Sequence, residues 1–141
     1  MIKNILIPGI PDTKLRPRTT KKGHVYDPNS QKKEASIQKA KITGCDKIFT
    51  GALEVHCQFV FPRPKSHFRT GKYSTTLRPD APFYCTNNKD IDNLEKFYLD
   101  SFNCIAWVDD RQIIKGSSVK RWASPDEIPH VFMSIMTLED K

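Results

Sequence analysis

The sequence has no apolar run approaching the roughly 18 residues that a membrane span requires. Its opening stretch, Met1-Ile2-Lys3-Asn4-Ile5-Leu6-Ile7-Pro8, has too short an apolar segment for a secretory signal. These two absences lead to the expectation of a soluble, intracellular protein with no membrane partner, in a bacterial cytoplasm or, for a phage or viral gene, in the host cell. Paired cysteines are lacking too: Cys45, Cys57, Cys85 and Cys104 lie far apart without a CxxC, and His24, His56, His67 and His130 are as scattered. No pair has zinc-ligand spacing, so four reduced thiols are expected inside a cell. There is no internal repeat and no sign of a second domain. The 141 residues read as one domain, 1–141, long enough to bury about two-thirds of the unfolded surface. A hydrophobic content of 38% supplies a core and excludes global disorder.

The chain does have an excess of positive charge, +7, and its placement is uneven. Residues 1–41 hold ten Lys or Arg against three acids, while the remainder is neutral. Within that neutral part, Arg63, Lys65, Arg69 and Lys72 cluster in one segment and acids concentrate between Asp80 and Asp110. Basic flanks around an acidic centre suit a polyanion such as DNA, which is attracted by counterion release and steering. A solvated basic surface with no such partner fits the charge equally well.

Periodicity predicts an α+β domain of order β-α-β-α-β-β, with a small mixed or antiparallel sheet of about four strands and two main helices. Residues 2–7 read as a strand, and residues from Pro28 to about Ile42 as a helix with a thin apolar face. Leu53, Val55, Cys57, Phe59 and Phe61 alternate with polar residues as a half-buried strand. Pro62 to Lys89 reads as a long loop, and a loop of that length in a compact domain is usually functional or disordered. From Asp92 to about Ile105 a helical stripe returns, with Asp92 in the cap position and Glu95 at capping-box spacing. Residues 112–115 and 118–122 read as strand, and His130 to Leu138 as the last one.

The informative segment is Lys89-Asp90-Ile91-Asp92-Asn93-Leu94-Glu95-Lys96, then Asp100, then Trp107-Val108-Asp109-Asp110-Arg111-Gln112. In an extended lead-in, Asp90 and Asp92 point the same way, and Lys96 stands one helical turn beyond Asp92. A short return after the helix would bring Asp109 and Asp110 beside them. Two carboxylates about 4 Å apart repel by roughly 4 kcal/mol at an effective dielectric of 20, and a divalent cation reverses that balance. An all-carboxylate set suits Mg²⁺, with Mn²⁺ as a substitute, rather than zinc. Such ions would activate a water, hold a phosphate and stabilise a leaving 3′-oxygen. Lys96 would add positive charge near the phosphate. Taken singly, the same residues also read as a helix cap, a surface ion pair and a turn.

The ordered set Asp90-Ile91-Asp92-Asn93, Lys96, Leu99-Asp100-Ser101-Phe102-Asn103 and Trp107-Val108-Asp109-Asp110-Arg111-Gln112-Ile113 resembles the signature of RusA-type Holliday junction resolvases. Lys14-x-Arg16-Pro17-Arg18, Gly23-x-x-Tyr26-x-Pro28 and Phe61-Pro62-Arg63-Pro64-Lys65 are also similar to family members. The resemblance implies a homodimer that binds four-way DNA junctions and makes paired nicks by Mg²⁺-dependent hydrolysis. It assigns metal binding to Asp90, Asp92 and Asp110, with Asp109 ranked behind Asp110 as the alternative ligand, and a functional role to Lys96. Around this centre Arg16, Arg18, Lys21, Lys22, Arg63, Lys65, Arg69 and Lys72 are candidates for phosphate contacts, which position DNA arms without reading sequence. Phe68 and Tyr73 could stack on an unpaired base. Two other readings stay open: a nuclease for flaps or forks, and a junction-binding module without catalysis.

Overall fold

The protein is described here by a computed structural model covering residues 1–13, 18–19, 21–23, 25–26 and 29–139, with backbone alone at 18–19 and 25–26. One five-stranded mixed sheet carries the fold. Its strands are β1 (Ile2–Pro8), β4 (Lys41–Gly44), β5 (Leu53–Phe61), β6 (Ile113–Trp122) and β7 (His130–Thr137), in the order β4-β1-β7-β5-β6. Two short strands, β2 (Arg18–Thr19) and β3 (Val25–Tyr26), pair separately as a hairpin. The helices are α1 (Ser30–Lys39) and α2 (Ile91–Ser101).

The α+β class is as expected, with five main strands instead of about four. All pairs in the main sheet are antiparallel except β5 with β6. Parallel neighbours need a crossover, and α2 is the helix in that crossover. The alternation read in β5 is real: Leu53, Val55, Cys57, Phe59 and Phe61 are all buried. They share the core with Ile5 and Ile7 of β1, with Val131, Met133 and Ile135 of β7, and with Leu94, Phe97 and Tyr98 of α2. Burial of each large apolar side chain contributes about 1.5–3 kcal/mol.

The extra strand comes from the end of the expected first helix. Ala40 is extended, and Lys41–Gly44 pairs with Lys3–Leu6 instead of continuing α1 to Ile42. The thin apolar face of α1 offers little packing in return for another turn, whereas Ile42 and Thr43 are β-branched and suit a strand. Gly44 permits the close approach: its φ is +89°, and a Cβ there would stand 2.4 Å from the Ile2 carbonyl oxygen.

The second helix also differs at both ends. Asp90, not Asp92, is its N-cap residue, and the Asp90 side chain makes no capping hydrogen bond. Glu95 does not close a capping box; its carboxylate accepts from Ser118 Oγ at 2.5 Å on β6. The helix ends at Ser101, where the hydroxyl donates back to the Phe97 carbonyl at 2.6 Å, and residues 102–107 fold into a compact reversal rather than running on to Ile105. Trp107, Phe102 and Ala106 are fully buried in that reversal. It is closed by the Cys104 N–H donating to the Trp107 carbonyl at 2.6 Å, with Cys104 at φ 67°. That left-handed conformation is uncommon for a side chain with a Cβ and is held by the buried tryptophan.

Candidate active site

The buried stripe of α2 leaves Asp92, Lys96 and Asp100, spaced four residues apart, on one other face. Lys96 is half exposed, and its Nζ lies 3.3 Å from Asp100 Oδ1 and 3.2 Å from Asp110 Oδ2. Both of those carboxylates are mostly buried. Burial, and then a hydrogen bond shared with Asp100, push the Asp110 carboxyl above the usual range, while Lys96 pulls it the other way. Lys96 is held above its ordinary value, chiefly by its hydrogen bond to Asp110. The result is two crowded carboxylates and one lysine that stays charged.

Asp110 reaches Lys96 because the chain returns from α2 at a controlled angle. After the 102–107 reversal, Asp110–Gln112 forms a single 3-10 turn with Asp109 as its cap. The Asp109 carboxylate accepts the Arg111 N–H at 2.9 Å, and that bond, before any other influence, lowers its pKa. Gln112 fastens the turn to the segment that joins β4 to β5. Its Oε1 accepts the N–H groups of Val108 and Asp109, each at 2.8 Å. Its Nε2 donates to the carbonyls of Phe49 and Gly51, each at 3.0 Å. Neighbouring aspartates thus have different tasks: one caps the turn and the next points at Lys96.

The lead-in to Asp90 is fastened from the other side. Lys120 of β6 donates its ammonium to the Asn87 carbonyl at 3.2 Å and to that of Lys89. Asp90 lines an open cleft of about 470 Å³ together with Tyr84, Asn87, Lys89 and Lys120. Asp90 and Asp92 are both exposed to solvent. Among the described residues, no three His, Cys, Asp or Glu side chains are close enough together to hold a metal ion, so Asp90, Asp92 and Asp110 do not meet at one point. What the structure does bring together is Asp110 with Lys96 and Asp100. The chemistry of the available donors, carboxylate oxygens around a mostly buried pair, fits a hard cation such as Mg²⁺.

The basic residues divide. Lys65, Arg69 and Lys72 are exposed in the segment between β5 and α2, and Lys21 and Lys22 at the turn of the β2–β3 hairpin. Arg63 is engaged internally: Nε donates to the Ala123 carbonyl at 2.7 Å and Nη1 to that of Pro82 at 2.6 Å. Arg16 and the side chain of Arg18 lie outside the described residues. Of the two aromatics expected to stack, Tyr73 is 45% exposed and has Arg69 over its ring, 4.4 Å from the centre, and Phe68 is half-buried.

Three parts of this arrangement were not singled out from the sequence. From the sequence Asp100 reads only as a surface partner of Lys96, although its place in the repeated four-residue spacing is visible there. Gln112 stood in the motif without a task. Lys120 carried no signal at all, since its role depends on β6 lying beside the approach to α2.

No curated protein matches the chain in sequence. Residues 8–136 match the family described as Endodeoxyribonuclease RusA, a span that holds every residue of the site just described. The chain belongs to the RusA family of endodeoxyribonucleases, hydrolases that cut phosphodiester bonds within DNA.

Proposed function

We propose that this endodeoxyribonuclease resolves four-way DNA junctions, as a homodimer making paired Mg²⁺-dependent nicks, with Asp90, Asp92 and Asp110 as ligands that the incoming ion would draw together and Lys96 beside the reacting phosphate. The observation that carries the reading is the meeting of Lys96, Asp100 and Asp110 on the helix face that also holds Asp92, in a chain of this family. A binding-only protein would gain nothing from carboxylates facing phosphate.

When bound, Mg²⁺ supplies an activated water and neutralises charge on the phosphate and the leaving oxygen. The remaining work belongs to the chain. Asp110 and Asp100 are held close by burial and by Lys96, so their mutual repulsion is poised to favour an incoming cation. Lys96 keeps its proton and offers a fixed positive charge where the phosphate gains negative charge in the transition state. Lys21, Lys22, Lys65, Arg69 and Lys72, with Arg16 and Arg18, bind the DNA arms through their phosphates. Arg63 contributes by bracing the loop. Two-fold symmetry places two such sites on opposed strands.

The test is nicking of four-way, Y-shaped and linear DNA by the purified protein with and without Mg²⁺, alongside Asp92→Asn. Paired nicks confined to the four-way junction are expected. Preference for the Y form would instead make it a flap or fork nuclease, and tight junction binding without any cutting would make it a binding module.

A further inference from the structure

Two large aromatic side chains lie just ahead of the site and have no part in the chemistry above. Phe83 is 56% exposed and Tyr84 65%. Their rings meet edge to face, with centres 5.0 Å apart and planes at 83°. Tyr84 lines the same cleft as Asp90, Asn87 and Lys89.

The backbone beneath them is held like an added strand. The Trp122 N–H donates to the Phe83 carbonyl at 2.9 Å, and the Cys85 N–H to the Lys120 carbonyl at 3.1 Å, flanking an antiparallel bridge between Tyr84 and Arg121. Arg63 grips the Pro82 carbonyl at 2.6 Å immediately before, and Cys85 is buried immediately after. Phe83 and Tyr84 are therefore displayed from a fixed support, not from a free loop tip.

A large aromatic left in water beside a cationic cleft suits a ligand that is both flat and anionic. DNA offers that combination through a base and its phosphate, and base–aromatic stacking tolerates any sequence because every base has a π-face. A continuous duplex keeps its base faces covered, whereas a branch point can release one. Charge agrees with this choice, since Lys89 and Lys120 line the cleft with Tyr84, against the single carboxylate of Asp90.

We infer that Tyr84, braced by Phe83, is a stacking platform for a nucleobase unpaired at the branch point, which sets the adjoining phosphate toward the Asp90 end of the site. The inference rests on the nuclease reading above and adds the feature by which branched DNA is told from duplex.

The experiment uses a four-way junction with 2-aminopurine at the crossover, whose fluorescence reports stacking, read without divalent cation so that it does not depend on cutting. Nicking is then measured on the same junction fully paired and with two mismatched nucleotides at the crossover. Tyr84→Ala should lose the wild-type fluorescence change and cut the paired junction about ten-fold more slowly. It should recover most of the rate on the mismatched junction, where opening is already done. Tyr84→Phe should stay within about two-fold of wild type, because the ring face is kept. A wild-type signal and rate in Tyr84→Ala would overturn the inference. So would a monomeric Tyr84→Ala in sedimentation, which would assign the pair to a protein interface. A wild-type protein that shows the fluorescence change but cuts nothing would defeat the nuclease reading alone.

Discussion

Lys96 and Asp110, 14 residues apart in sequence, meet at 3.2 Å between the middle of α2 and the 3-10 turn that leads into β6. At about 4 Å, attraction and repulsion between unit charges are each worth about 4 kcal/mol at an effective dielectric of 20. One lysine thus offsets much of the repulsion between Asp100 and Asp110, and it is the positive charge nearest to any phosphate brought to Asp110.

Replacing that charge should separate catalysis from binding. Lys96→Met keeps the length of the side chain on the helix and removes the ammonium. Single-turnover cutting of a four-way junction should fall about 100-fold, with junction affinity changed far less. Equal losses in both would mean that Lys96 acts as a DNA anchor only.

Asp92→Asn should abolish cutting and leave junction binding intact or tighter, since a negative charge facing phosphate is removed. A gel-shift titration beside the nicking assay checks both halves. Full cutting activity would remove Asp92 from the ligand set.

The two adjacent aspartates give opposite expectations. Asp109→Ala loses a turn cap and should lower stability by about 1 kcal/mol, while keeping much of the activity. Asp110→Asn should fold normally and lose cutting. Denaturant midpoints and nicking rates for the pair distinguish them, and the reverse pattern would give the ligand role to Asp109.

Gln112→Leu leaves the N–H groups of Val108 and Asp109 and the carbonyls of Phe49 and Gly51 without their shared partner. Loss of about 1–3 kcal/mol is expected, together with slower cutting because Asp110 is no longer aimed. Cutting at the wild-type rate in a destabilised variant would show that the clamp serves folding alone.

Acid should weaken the far end of β6. Arg121 binds both oxygens of Glu127, at 2.6 and 2.8 Å, and this pairing first of all lowers the Glu127 pKa from 4.5 to about 2. A depressed carboxyl contributes its stability in full above the unfolded value, and loses it as pH falls through the folded one. Unfolding free energy measured by denaturant should therefore decline between about pH 4.5 and 2 through this group. Glu127→Gln should show a shallower decline over that window.

Much of this protein follows from local pattern. The two-residue alternation of β5 and the apolar stripe of α2 each declare a buried face, because the backbone geometry of strand and helix sets which side chains share a side. Asp92, Lys96 and Asp100 share a face of α2 for the same reason, and the family motif marks the right segment. Tertiary structure decided the rest. Ile42 and Thr43 become strand because β1 is there to pair with them. The helix gives way after Ser101 to a reversal whose backbone closes on the buried Trp107. Asp109 is a cap and Asp110 a partner of Lys96 because Gln112 ties their turn to Phe49 and Gly51, some 60 residues earlier. Arg63 spends its donors on carbonyls that are remote in the chain, and Tyr84 stands beside Asp90 only through pairing with β6. Periodicity records which face of an element is buried; which partner meets that face is set by contacts between distant segments, and those contacts aim the chemistry.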